Sequence, residues 1–189
     1  MQDASIVPAG EKESVFALSA TPFFSDDSDE LVLISMLQYN ARHGINSKLD
    51  FGCQLNLPVI FGVNSEDTAP IAPMFPSFGT DLKFQIKSSD SFDLAVDAGL
   101  NLSIASSLNV GVIMSNANNY ASIYSHYAQV PNLGFGNSLS NTSFTYGYSF
   151  TLGHRAENII YELRLPVIND ESNETFTIRP PIFSIGVQL

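Results

Sequence analysis

From Lys48 to Val63 the sequence reads KLDFGCQLNLPVIFGV, with an apolar residue at every odd position from Leu49 to Val63. The first even positions are Lys48, Asp50, Gly52, Gln54 and Asn56. A period of two marks a β-strand with two unlike faces, because successive side chains leave opposite sides of an extended backbone. Sixteen residues go well beyond the roughly five or six of an ordinary strand. A chain built on such segments must give a long apolar face something to touch.

The pattern recurs. Even positions are apolar in FGTDLKFQIK (Phe78, Leu82, Phe84, Ile86) and from Phe92 through Ile104. SFTYGYSFTLGH sets Phe144, Tyr146, Tyr148, Phe150 and Leu152 against serine, threonine and glycine, and odd positions from Ile159 to Val167 are apolar. Further strands are expected over Val15 to Phe24, Leu31 to His43, Leu108 to Ser115 and Tyr120 to Val130. The final TFTIRPPIFSIGVQL changes phase at Pro180 and Pro181. Neither proline can donate a ladder hydrogen bond, so a bulge is expected there.

Connectors sort into two classes. Short turns follow His43, Lys87, Ser115 and His154, whereas longer or acidic loops follow Phe24, Val63, Val130 and Ile168. In a meander every second connector emerges at the same end. A count of ten strands places all the short turns at one end, with a tight link between Ala105 and Leu108; eight is the alternative. Arg42, Lys48, Lys87 and Arg155 flank the short turns, and acidic residues such as Asp26, Asp27, Asp29, Glu66, Asp67 and Glu171 crowd the long loops.

Composition narrows the partners. A formal charge of -11 argues against nucleic acid, whose phosphates need lysine and arginine. Cys53 is the only cysteine, so no intrachain disulfide or thiolate cluster forms. No run approaches the roughly 18 apolar residues of a membrane helix. The first residues lack the basic and apolar regions of a secretory signal, so an exported protein is expected here in its mature form with Met1 added. The expected organisation is a flexible segment over 1–13 and one β-barrel domain over 14–189.

Two solvents suit the apolar faces. In a soluble sandwich or lipocalin-like barrel they pack inward around an apolar ligand; in an outer-membrane barrel they meet lipid and the polar faces line the interior. Small, uncharged polar faces and runs reaching the 9–11 residues of a tilted membrane strand favour the second. Only closure then satisfies every backbone N–H and C=O. The expected fold is an all-β, up-and-down antiparallel transmembrane barrel with short periplasmic turns and longer acidic extracellular loops.

YNARHGINSKLDFG (39–52) and GTDLKFQ (79–85) resemble the Arg-x-Gly-Leu turn and Asp-Leu-Lys-Tyr strand of small bacterial outer-membrane β-barrels of the porin-like class. FSIGVQL is similar to their C-terminal assembly signal, with Leu189 where phenylalanine is usual. The resemblance implies export to the bacterial outer membrane, membrane lipids as neighbours, and insertion by the barrel-assembly machinery. The whole also resembles ring-forming small barrels that trap lipid, which implies a side-by-side homo-oligomer.

The expected inward charges are Arg42, Asp50, Asp81, Lys83, Asp93, Asp97, Glu162, Arg164 and Arg179, with Lys83 opposite Asp97 and Lys87 opposite Asp93. They read as a salt-bridged filling, because barrels of this size are largely filled by side chains, or as a filter for restricted permeation. The expected lipid or subunit face carries Leu49, Phe51, Leu55, Leu57, Phe144, Tyr146, Tyr148 and Phe150. Tyr120, Tyr124 and Tyr127 are read as candidate aromatic-girdle residues, whereas Tyr146 and Tyr148, in mid-strand, fit a girdle badly and read better as facing a neighbouring subunit; Cys53 reads as a small hydrophobe. His126 is the one plausible base for a lipid-A-modifying enzyme, but Ser125 beside it points to the other face. No catalytic residue, cofactor or metal site is expected; Asp26, Asp27 and Asp29 read as a solvated loop. The overall expectation is a non-enzymatic, porin-like envelope protein.

Overall fold

Each alternating run forms a strand, and the strands close on one another. The computed structural model describes residues 3–24, 31–62, 75–103, 106–131, 142–170 and 175–189. Its strands are β1 (Lys12–Phe24), β2 (Leu31–Asn46), β3 (Leu49–Gly62), β4 (Ser77–Ser88), β5 (Asp93–Leu102), β6 (Ser106–Ser115), β7 (Asn119–Pro131), β8 (Thr142–Ala156), β9 (Ile159–Asp170), β10 (Thr175–Ile178) and β11 (Ile182–Gln188). There is no helix among the described residues. β1 to β9 pair antiparallel in chain order, β9 pairs with both β10 and β11, and β11 pairs with β1. The result is a closed up-and-down barrel of ten strand positions, the last shared by β10 and β11.

The double proline explains that sharing. Between Ile178↔Val167 and Ile182↔Arg164 the last strand advances four residues while β9 advances three. One extra residue flips the side-chain phase, so Phe176 and Ile178 point outward before the break and Phe183, Ile185 and Val187 after it. Across the break, Arg179 N donates to the Pro166 carbonyl at 2.9 Å.

Short turns at residues 47–48, 89–92, 116–118 and 157–158 share one end with the start of β1 and the end of β11. The opposite end carries the longer connectors and the tight link from Leu102 to Ser106.

Polarity is inverted relative to a water-soluble core. Phe16, Phe51, Leu57, Phe78, Leu100, Val110, Phe150 and Tyr161 are exposed on the outer wall, while Gln38, Asn40, Arg42, Asp50, Lys83, Asp97 and Glu162 are buried. Tyr120 and Tyr124 depart from the girdle expectation: both point inward, and their rings lie against Gly153 and Gly111. A Cβ at Gly111 would fall 2.6 Å from Tyr124 Cε1, a distance only glycine tolerates.

Of the N-terminal segment expected to be flexible, residues 3–11 are described and run into the barrel from the short-turn end. Ala4 packs with Ala95 and Ile113, Ala9 bridges in parallel to Gly44, and Gly10 N donates to the Gly44 carbonyl at 2.9 Å. Gly10 has φ +82°, which a glycine adopts without strain. Lys12 and Glu13 already belong to β1.

Candidate functional site: the charged interior

Adjacent strands aim their inward charges at one level of the barrel. Arg42 on β2 pairs with Asp50 on β3 and Asp81 on β4, and stands 4.0 Å from Asp97 on β5. Lys83 Nζ lies 3.4 Å from Asp50 Oδ2, and the Tyr124 hydroxyl donates to Asp97 Oδ2 at 2.8 Å. Three carboxylates thus share two cations and a phenol, which offsets the cost of burying each charge.

The N-terminal segment completes this cluster. Lys83 Nζ donates to the Asp3 carbonyl at 3.1 Å and to that of Ser5. Val7 N donates to Asp50 Oδ2 at 3.2 Å, and Ala4 N to Ser115 Oγ at 3.1 Å. Arg155 reaches Asp3 at 2.9 Å and Glu13 at 3.5 Å. A strand-paired barrel leaves its lumen polar groups unserved, and a backbone threaded into it supplies partners.

A second group sits across the lumen. Tyr120 donates to Glu162 Oε2 at 2.8 Å, and Arg164 Nη2 stands 3.0 Å from Glu162 Oε1. Between the groups lies a cavity of about 110 Å³ bordered by Gln38, Asp81, Asp97, Asn101, His126 and Arg164, among others. That is room for several waters.

His126 also faces this cavity. Its Nδ1 is 2.7 Å from Asn109 Oδ1 and its Nε2 is 2.6 Å from Ser149 Oγ, while its ring stacks on Tyr124 with centroids 6.1 Å apart. Ser125 lies on the other face of β7, as alternation requires. The serine that meets His126 comes from β8, which no local motif could reveal. Serine, histidine and an amide in sequence of contact make a polar chain, but acyl transfer also needs donors aimed at an oxyanion. The backbone groups of β7 and β8 nearby are paired across their ladder.

Of the inward charges expected from sequence, Arg42, Asp50, Asp81, Lys83 and Asp97 converge, and Glu162 pairs with Arg164. Lys83 is the Cα partner of Asp97 as expected, although its ammonium turns to Asp50 and the N-terminal segment. The Lys87 to Asp93 pairing does not form: a register shift between Gln85 and Lys87 sets Lys87 against Leu94 and Ser88 against Asp93. Lys87 instead covers the Phe92 ring at 4.6 Å, and Asp93 accepts from Gln85 at 3.4 Å. Arg179 is exposed in the break between β10 and β11, outside the cluster. Sequence reasoning missed Tyr120, Tyr124, Arg155 and Asp3.

On the outer wall, Phe51, Leu55, Leu57, Tyr146, Tyr148 and Phe150 are exposed and Leu49 is half-buried; the side chain of Phe144 lies outside the described residues. Tyr146 and Tyr148 pack on Phe176 with centroids 5.9 and 6.0 Å apart. Cys53 is free and half-buried. His43 and His154 are exposed near the short turns, bonded to the Glu11 carbonyl and to Asn119. No group of three or more metal-ligating side chains occurs among the described residues. Asp26, Asp27 and Asp29 lie outside them.

No protein-family model matches this chain. Nor does any curated protein.

Proposed function

We propose that this chain is a non-enzymatic, lipid-facing β-barrel of a bacterial outer membrane, with an envelope-structural role and at most restricted permeation. The observation that carries this reading is the inverted polarity: large apolar side chains cover the outside while arginine, lysine and carboxylates are buried within. Water penalises a continuous apolar wall, whereas lipid penalises any backbone group left unpaired. An apolar wall on a closed barrel suits lipid. The ion-paired interior and the inserted N-terminal segment favour structure over bulk diffusion. Insertion by the barrel-assembly machinery and side-by-side association into a lipid-enclosing ring belong to the same proposal; exposed Leu55, Leu57 and Phe150 are available for such contacts.

The test is membrane partition. The chain is expressed behind a secretion signal, outer membranes are washed with carbonate, and gel mobility is compared before and after boiling. Carbonate resistance with heat-dependent mobility is expected, and cross-linking of the washed membranes reports the oligomer. Release by carbonate, or a soluble folded monomer, overturns the reading in favour of a soluble barrel.

A further inference from the structure

Gly79 differs from most glycines of the wall. A Cβ added at Gly52, Gly99, Gly111, Gly147 or Gly153 would come closer than 3.0 Å to another atom, so packing holds each of them as glycine. At Gly79 the nearest atoms would be the Leu100 carbonyl oxygen at 3.5 Å, Gln54 Cβ at 3.6 Å and Asn101 Cγ at 3.8 Å, which is ordinary contact. Its φ is not positive either, so neither packing nor backbone conformation requires glycine there. A side chain at this position would enter the lumen cavity of about 110 Å³ that Gly79 borders. Glycine keeps that space open.

The cavity has a floor and an approach. Its floor is the layer where Arg42 meets Asp81 and Asp97. The N-terminal segment occupies the short-turn side of that layer, with Ala4 packed on Ala95 and Ile113. Gln54, Asn101, Asn109 and His126 lie farther along their strands toward the long-loop end. Farther still, Ser103 is exposed and Ser107 and Ala128 are half-buried. A solute therefore approaches from the long-loop end.

The lining specifies the chemistry. Asp97 accepts from Tyr124, Asp81 pairs with Arg42, and Glu162 pairs with Arg164 at 3.0 Å. An anion would meet these three carboxylates against one bordering arginine, Arg164. A cation would have to give up its hydration for carboxylates that already hold partners. Neutral groups keep free capacity. Asn101 Oδ1 is buried without a hydrogen-bond partner among the described residues, an uncommon state for a buried acceptor and one that a donor relieves. Gln38 Nε2 meets the Met36 sulfur at 3.9 Å, a weak acceptor. The rings of Tyr124 and His126, 18° from parallel, border the same space and offer aromatic surface to C–H groups. At roughly 10–15 Å³ per water-sized position, about 110 Å³ holds on the order of seven to eleven non-hydrogen atoms, the size of a four- or five-carbon polyol.

We infer that the lumen cavity beside Gly79 binds a small neutral polyol of four or five carbons, with one hydroxyl donating to Asn101 Oδ1 and the carbon skeleton lying along Tyr124 and His126. The site rests on the barrel interior and needs no membrane, so it stands or falls separately from the location proposed above.

The test is equilibrium dialysis of radiolabelled erythritol against the folded full chain, held in amphipol or in plain buffer as its solubility dictates. Erythronate and 1-amino-1-deoxyerythritol serve as the anionic and cationic comparisons. Saturable binding near one per chain is expected, at least tenfold tighter than either. Gly79→Val, which fills the cavity, is expected to weaken it tenfold or more. Asn101→Leu, close to asparagine in shape, removes the unpaired acceptor. It is expected to weaken binding as much without lowering thermal stability, which keeps the site testable if Gly79→Val fails to fold. Val112→Leu on the outer wall is expected to leave binding unchanged. Absence of saturable binding, or binding indifferent to a folded variant at Gly79 or Asn101, overturns the site; either charged derivative binding as tightly as erythritol overturns the neutral class.

Discussion

Lys83 Nζ lies 3.4 Å from Asp50 Oδ2, and both side chains are all but sealed from solvent, at 2% and 0% exposure. The pair ties β4 to β3 across a barrel interior where either charge alone would be expensive. Removing Lys83 leaves three buried carboxylates, Asp50, Asp81 and Asp97, to share Arg42, a loss of buried charge balance of the kind that typically destabilises by about 3–5 kcal/mol. Lys83→Met, close in length to lysine, is expected to lose that much, read as a lower urea midpoint for the heat-sensitive gel shift. Lys83→Met combined with Asp50→Leu is expected to recover most of the loss, since Arg42 retains Asp81 and Asp97. A double variant no more stable than the single one would show that the pair is not coupled.

Gly44 reports on the N-terminal segment. A Cβ built there would fall 2.6 Å from the carbonyl carbon of Pro8 and also meet the Val7 carbonyl oxygen. Both are backbone, so neither can rotate aside. Gly44→Ala is therefore expected to lift residues 3–10 off the β2 end while leaving the ladders intact. Limited proteolysis should trim the variant near its N-terminus within minutes, and its single-channel conductance in a planar bilayer should exceed that of the parent chain. Equal protease resistance would show the segment does not depend on this contact.

His126 is held 2.6 Å from Ser149 Oγ and 2.7 Å from Asn109 Oδ1, and the non-enzymatic reading makes a definite statement about this chain of contacts. A fluorophosphonate probe is expected to leave the folded protein unlabelled, as it leaves Ser149→Ala. Labelling that disappears in Ser149→Ala would make the barrel a hydrolase.

The strands were legible because their period is written in single residues: Leu49 to Leu57 needs no partner to identify its outer face. The bulge was legible because Pro180 and Pro181 coincide with a phase change. The interior was readable wherever one face of a strand was plainly apolar, so Arg42, Asp50, Asp81, Lys83 and Asp97 emerged together. β7 resisted because YASIYSHYA carries tyrosine on both faces, and only pairing with β6 and β8 turns Tyr120, Tyr124 and His126 inward. The Lys87 register failed for a similar reason, since a bulge between Gln85 and Lys87 leaves no mark in alternation.

Val110 separates the two solvents that the outer wall is able to meet. It is half exposed, midway along β6, and faces outward between apolar Leu108 and Val112. In lipid, an arginine on the outer wall near the midplane costs about 2–4 kcal/mol. In water the same substitution on an exposed strand face costs within about 0.5 kcal/mol and breaks up an aggregation-prone patch. Val110→Arg is expected to lower the unfolding free energy of the vesicle-reconstituted barrel by the larger amount, with Val110→Leu indistinguishable from the parent. Because the position touches neither the ion pairs nor the N-terminal segment, the difference between the two variants isolates what surrounds the wall. An arginine variant as stable as the leucine one would mean that water covers this face.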